Sequence, residues 1–302
     1  MAVPASPDMA PSLYHYTDVN GLAGIVENQR LRGTDIRFMN DKSEQRFGEN
    51  LIDRAFEQCR KTLDDRIRKG ITDSTEVRAA LDSIESRSQQ IRGSYKPLTT
   101  SYFVICLSES GDQLSQWRVY GRDGYALEFD TNALLNHVSD VPNTGTSADA
   151  PLASVMKRVA YGEDGLANLV PLIHNFAQQA AVAGRTVDHS NFGAGHSNAC
   201  AEAIAQEGIY CKDDAFSEEK EVRLLIGGYP ELHTPTRYGM VPRKEIPLPH
   251  HLIKSVMVGP NLHAELQELS LESYAVASRW WNPTISSTGQ FDVSRSRIPY
   301  RA

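Results

Sequence analysis

Glu219-Lys220-Glu221-Val222-Arg223-Leu224-Leu225-Ile226-Gly227 is the stretch on which the reading of this chain turns. Side chains alternate across a strand, so Val222, Leu224 and Ile226 fall on one face and Glu219, Glu221 and Arg223 on the other. The spacing predicts a strand over Glu221 to Gly227, with an apolar face for a core and a polar trio displayed together. A second run, Tyr102-Phe103-Val104-Ile105-Cys106-Leu107, is apolar throughout at strand length, the pattern of a strand covered on both faces. Strand-like and helical stretches alternate irregularly around these two, and no internal repeat is visible. That order favours an α+β fold over a doubly wound sheet.

Working outward, Leu13-Tyr14-His15-Tyr16-Thr17 reads as a short first strand. Asp18 caps a helix whose Val19, Leu22, Ile25 and Val26 recur at helical spacing. Asp41, with Glu44 three residues on, fits a capping box that opens a helix from about Lys42 into the Arg60 region. With a charged helical stretch over Ser74 to Ile91 it makes a helical hairpin. Leu114 to Tyr120 reads as a helical turn, Tyr125 to Asp130 as a half-buried strand, and Val155 to Tyr161 as a further strand candidate. Ser139 to Pro151 and residues 184–198 have loop composition. Leu252 to Val258 is a strand, and residues 262–281 are helical.

The 302 residues suffice for a sizeable core, and 40% hydrophobic with 23% charged residues is ordinary globular composition. No secretory leader and no run of roughly 18 apolar residues is visible. Cys59, Cys106, Cys200 and Cys211 lack metal-site spacing and read as reduced thiols of a cytoplasmic protein. A net charge of −7 argues against sequence-independent phosphate binding by the whole surface. A local basic site stays open, with Arg295, Arg297 and Arg301 as one source.

The chemistry-bearing residues each admit two readings. Glu219, Glu221 and Arg223 are either a solvated strand face or a site in which Arg223 holds one carboxylate ionised while the other meets a ligand hydroxyl. His15 is either a satisfied core or rim histidine or a group that hydrogen-bonds a sugar hydroxyl, with a tyrosine ring packed on a planar base. Trp117 and Tyr120 either fill a core or stack on a ring, and Arg118 either is a surface charge or meets a phosphate. HExxH, GxSxG, Walker and GxGxxG patterns are absent from the sequence, and adjacent His250 and His251 would point apart on a strand, so no metal site is expected.

Taken in order, Leu13-Tyr14-His15-Tyr16-Thr17, Met39-Asn40-Asp41 with Glu44, Leu114-Ser115-Gln116-Trp117 with Tyr120 and Gly124, Phe216 with Glu219, Glu221 and Arg223, Val258-Gly259-Pro260 and Ile298-Pro299-Tyr300-Arg301 resemble the bacterial family catalogued as domain of unknown function 2971. The resemblance spans nearly the whole chain and implies one domain over residues 1–302, with flexible loops at 139–152 and 184–198. The layout is in turn similar to that of ADP-ribosyltransferases, especially those acting on nucleic acid. That similarity implies a split antiparallel or mixed sheet with a helical insertion near residues 42–92. It further implies a transferase that uses NAD as substrate and passes ADP-ribose to a nucleic-acid or protein acceptor, as toxins and antiphage effectors do. The implied cofactor-binding residues are His15, Tyr16, Thr17, Trp117, Tyr120 and Arg223. Glu221 and Glu219 are the implied catalytic pair, Glu221 on the ribose 2'-hydroxyl and Glu219 activating the acceptor. A Ser-Thr-Ser element typical of those enzymes is missing, with Leu114-Ser115-Gln116 a loose substitute. The rival readings are a non-catalytic nucleotide- or partner-binding module, and glycosyl-bond chemistry on another nucleotide donor.

Overall fold

A computed structural model describes residues 9–39, 42–71, 73–93, 101–140, 155–184, 192–237, 239–280 and 292–299. Asn40, Asp41, most of the 139–152 stretch, residues 185–191 and Tyr300-Arg301 lie outside the described residues, as does the Glu44 side chain. The chain gathers into two compact units. The first comprises Met1–Phe38, Thr100–Arg158 and Glu218–Ala302, the second Met39–Thr99 and Val159–Ser217.

The first unit is α+β. Its strands are β1 (Ser12–Thr17), β2 (Arg30–Asp35), β3 (Ser101–Ser108), β4 (Tyr125–Asp130) and β5 (Val155–Arg158). The small β6 (Ala160–Tyr161) and β7 (Cys211–Lys212) belong to the second unit. The first unit continues with β8 (Glu221–Gly228), β9 (Leu232–Thr236), β10 (Gly239–Pro247), β11 (Ile253–Val258) and β12 (Val293–Arg295). Apart from β6 and β7 these form one mixed sheet, in which only β11 and β12 run parallel among the described pairs.

β3 is the hinge of that sheet. Along one edge it pairs with β8 over its full length, from Ser101 opposite Gly228 to Ser108 opposite Glu221. Its other edge is shared: β2 takes Phe103 and Val104, and β1 meets it only where Tyr14 stands opposite Ser108. The sheet therefore forks, one branch running β1-β4-β11-β12 and the other β2-β10-β9. Leu13, Ile105, Leu107, Leu127, Val222, Leu224 and Val256 line one face and are buried. Helices α1 (Val19–Asn28), α5 (Thr131–Asp140) and α8 (Ala264–Ala277) cover that face with Leu22, Ile25, Leu134, Val138 and Leu271. Each such side chain taken from water contributes about 1.5–3 kcal/mol.

In the second unit α2 (Lys42–Arg68) and α3 (Ser74–Gly93) form the expected hairpin, joined by α6 (Glu163–Gly184) and α7 (Phe192–Ile209) around Leu51, Phe56, Leu81, Ile173 and Ile204. Short α4 (Leu114–Val119) belongs to the first unit. Some readings change. Residues 192–198 open α7 instead of forming a loop, because Ala199, Ala201, Ala203 and Ala205 have the helical preference to carry the turn. β4 is buried on both faces except at Glu128 and Asp130. Val155 to Tyr161 divides into β5 and β6, which lie in different sheets. His250 and His251 sit in a 3₁₀ turn, with His250 Nε2 against the Val26 carbonyl at 2.9 Å. Among the described residues no helix is long and apolar enough to cross a membrane.

Candidate functional site

The fork leaves part of the β3 edge without a strand partner, and His15 fills that role. Its Nδ1 lies 3.0 Å from the Cys106 carbonyl. A carbonyl only accepts, so Nδ1 carries the proton, and neutral His15 keeps Nε2 as an acceptor. Burial lowers the His15 pKa, with the Cys106 hydrogen bond opposing it in part. Beside this junction lies a pocket of about 340 Å³, counting the solvent-open space at its mouth, lined by Tyr14, His15, Tyr16, Cys106, Leu107, Gln116, Tyr120, Glu219 and Glu221.

The carboxylates arrive differently from the strand-face expectation. β8 begins at Glu221, while Glu219 ends a 3₁₀ helix over Asp214–Glu219. Between them Lys220 adopts φ 45°, a left-handed conformation that costs a non-glycine residue roughly 1–2 kcal/mol. This corner replaces simple i, i+2 alternation and still brings both carboxylate residues to one pocket. It is fastened by main chain: Ser108 Oγ donates to the Glu219 carbonyl at 2.7 Å, and the Glu109 amide donates to the Lys220 carbonyl at 3.0 Å. Glu221 and Arg223 do share a strand face, and the guanidinium donates to both carboxylate oxygens at 2.8 and 2.9 Å. They are 4% and 1% exposed, so this is a buried pair and not a solvated face.

The aromatic wall is built on α4. The Tyr16 hydroxyl donates to the Ser110 carbonyl at 2.7 Å and accepts from the Gln113 amide at 3.0 Å. Burial raises its pKa well above the ordinary tyrosine value. Its ring meets Trp117 edge-on, centroids 4.7 Å apart. Trp117 Nε1 donates to Asp112 at 2.8 Å, and Asp112 also accepts from Ser296 Oγ at 2.6 Å and the Arg297 amide at 2.8 Å. A carboxylate thus fastens the 292–299 segment to the helix that presents Gln116 and Tyr120. Tyr16 lines the pocket while its hydroxyl serves this scaffold.

Of the residues singled out in the sequence, His15, Tyr16, Tyr120, Glu219 and Glu221 line the pocket. Thr17, Trp117 and Arg223 are buried outside its lining. Arg118 is exposed on α4. Arg295 is engaged by Glu265 and Glu268, which offsets its own charge. Tyr14, Cys106, Leu107 and Gln116 join the lining from positions the sequence reading did not select as site residues. β1 and β8 are not neighbours, since β3 runs between them, and alternation sends Tyr14, not His15, to the face of Glu221. His15 lines the same pocket because it stands at the open edge of the fork. Among the described residues no group of three or more His, Cys, Asp or Glu could hold a metal ion.

The lowered His15 pKa sets a pH dependence. The folded protein holds the neutral imidazole, whereas the unfolded chain takes up a proton below about 6.5. The contribution is fully present above that pH and is lost as pH falls below it. His174, also lowered by burial and by nearby Arg66, acts in the same direction. Thermal melts from pH 8 to 5 should therefore show declining stability below about 6.5. His15→Gln should shallow that decline without abolishing it. An unchanged slope would contradict the assignment.

Neither a curated protein nor a solved structure matches the chain. Residues 116–224, which carry Gln116, Trp117, Tyr120, Glu219, Glu221 and Arg223 but not His15, match the model of the family described as Protein of unknown function (DUF2971).

Proposed function

We propose that the pocket binds the nicotinamide-ribose end of NAD and that the protein is an ADP-ribosyltransferase-like enzyme. The observation that carries this reading is that His15, Tyr120, Glu219 and Glu221 line one pocket at the fork of the sheet. The pocket is small and open at its mouth, so only the nicotinamide-ribose end is assigned to it and the rest of a dinucleotide lies outside.

Breaking the bond between ribose C1' and the nicotinamide nitrogen sends the electron pair to the leaving ring and positive charge to the sugar. A carboxylate at that point stabilises the developing charge, and Glu221 is assigned this role, its position fixed by the bidentate grip of Arg223. His15 Nε2 accepts from a ribose hydroxyl, and the Tyr120 ring packs on nicotinamide. The acceptor nucleophile bonds to C1' and yields its proton to Glu219. The acceptor class assigned is nucleic acid or protein.

Nicotinamide release from NAD, with candidate acceptors present, tests the reading. Glu221→Gln should lower the rate by about 10²–10³-fold, the usual cost of losing one charge-stabilising group. No release from the unaltered protein with any acceptor would overturn it. Calorimetric binding of NAD without turnover would instead support a binding module, and products from a different nucleotide in mass spectrometry would identify another donor.

A further inference from the structure

The outer rungs of β2 and β10 gather three guanidinium groups on one face of the sheet. Thr34 stands opposite Val104 and Arg243 opposite Thr34, while Glu245 stands opposite Arg32 and Pro247 opposite Arg30. Pairing carries the face across β3, so Arg30, Arg32 and Arg243 point to the same side as Glu221 and Arg223. One carboxylate on this ladder, Glu245, lies 3.4 Å from Arg30 and 3.0 Å from Arg32. Arg243 donates instead to the Thr34 hydroxyl. Its proton affinity is lowered by burial and by the charge of Arg32.

Three positive charges against one negative is an unusual concentration in a protein of net charge −7. Stability does not account for it, because exposed ion pairs contribute little and the Arg32 and Arg243 charges repel each other. The Arg30 and Arg32 side chains are 45% and 42% exposed and Arg243 is half-buried beside them, so the cluster is reached from solvent through Arg30 and Arg32. Guanidinium forks match the oxygens of phosphate esters. The location fits as well. Arg32 is two residues along β2 from Thr34, and Thr34 faces Val104, which is two residues along β3 from Cys106 in the pocket wall. Each such step is about 7 Å.

We infer that Arg30, Arg32 and Arg243 form a phosphate-binding face. The phosphate comes either from the diphosphate of a dinucleotide whose other end lies in the pocket, a source that rests on the transferase reading, or from the phosphodiester backbone of a nucleic acid, which does not. The test titrates the full-length protein with ADP-ribose and inorganic pyrophosphate by calorimetry, and with labelled single-stranded RNA and DNA by fluorescence anisotropy over a range of salt. Binding in the first arm identifies the diphosphate source, and in the second the nucleic-acid source. Arg243→Gln and Arg32→Gln should each weaken binding by about tenfold or more. For the oligonucleotides each should also reduce the log–log salt slope by about one. Glu245→Gln should tighten binding, a change opposite to that of a folding defect, and Arg295→Gln should leave it unchanged. No binding in either arm at low salt, equal binding by Arg243→Gln, or weaker binding by Glu245→Gln would overturn the proposal. Nicotinamide release read on the same samples keeps the two ideas apart. Turnover without phosphate binding removes this face alone, and phosphate binding without turnover removes the transferase reading alone.

Discussion

Replacing Arg223 with Met is expected to lower the unfolding free energy by about 3–5 kcal/mol, because the change leaves the Glu221 carboxylate buried without its counter-charge. Both Glu221 oxygens accept from Arg223, and each residue is under 5% exposed, so water is not at hand to replace the guanidinium. The pair sits on β8 within the longest ladder of the sheet, eight consecutive partners with β3. Removing both charges together, Arg223→Met with Glu221→Leu, should recover most of the loss, since an apolar pair of similar volume often serves stability as well as a buried ion pair. Urea unfolding of the two variants decides the matter. A single variant that loses less than about 1 kcal/mol would mean the pair is solvated and contributes as a surface pair does. The comparison also bears on function. If the double variant is stable and inactive, the buried pair is kept for chemistry at the pocket and not for the fold.

Gly124→Ala should cost about 3 kcal/mol, the upper part of the usual range for overpacking. A Cβ there would overlap the Thr17 carbonyl oxygen and lie 2.7 Å from the Asp18 Cα, and all of these are main-chain atoms that cannot rotate away. The Gly124 carbonyl also accepts from the Gly259 amide at 2.9 Å, so the end of β1, the start of β4 and the end of β11 meet at this residue. Gly24 supplies the matched contrast. It lies inside α1 with open space, free of other atoms to 4 Å, where an alanine methyl would stand. Gly24→Ala should therefore stabilise by about 0.5–1 kcal/mol through helix propensity alone. Thermal or urea melts of the pair should move in opposite directions. Equal effects would contradict the assignment of Gly124 as a contact point between three strands.

Much of the fold is legible in the sequence because its central strands are made of residues with one clear use. Tyr102 to Leu107 is apolar at strand length, Val222, Leu224 and Ile226 alternate onto one apolar face, and the two strands form the longest ladder of the sheet. The α2–α3 hairpin announces itself by helical spacing over long stretches. β2, β9 and β10 are not legible, and the cause is chemical. Arg30-Leu31-Arg32-Gly33 buries one face of a branch whose other face is charged, and β9 and β10 carry Pro235, Pro242 and Pro247, which read as turns in a sequence. The Arg30, Arg32 and Arg243 face is hidden for a further reason, since its members come from strands more than 200 residues apart in the chain.

The site is legible in part. His15, Tyr120, Glu219 and Glu221 stand out by residue type, but their meeting depends on the fork in β3, and forks leave no mark in local periodicity. The αL conformation of Lys220 is equally invisible, because lysine gives no hint of positive φ. Trp117 and Arg223 are among the implied cofactor-binding residues; the fold packs Trp117 against Tyr16 and Asp112, while Arg223 grips Glu221, in keeping with the reading in which it holds a carboxylate ionised. Gln116 falls within the family-like run Leu114-Ser115-Gln116-Trp117 but is not singled out as a site residue, since a single glutamine on a short helix carries no chemical pattern of its own. It lines the pocket because Asp112 and the 292–299 segment hold α4 in place.

The central claim is that His15 and Glu221, about 200 residues apart in sequence, act on one ligand at the fork of the sheet. A double-mutant cycle on nicotinamide release tests it most directly, with His15→Ala, Glu221→Gln and the two combined. Groups that serve the same reacting sugar give strongly non-additive effects, so the double variant should be scarcely slower than Glu221→Gln alone. Additive losses, or no release of nicotinamide by the unaltered protein, would contradict the account.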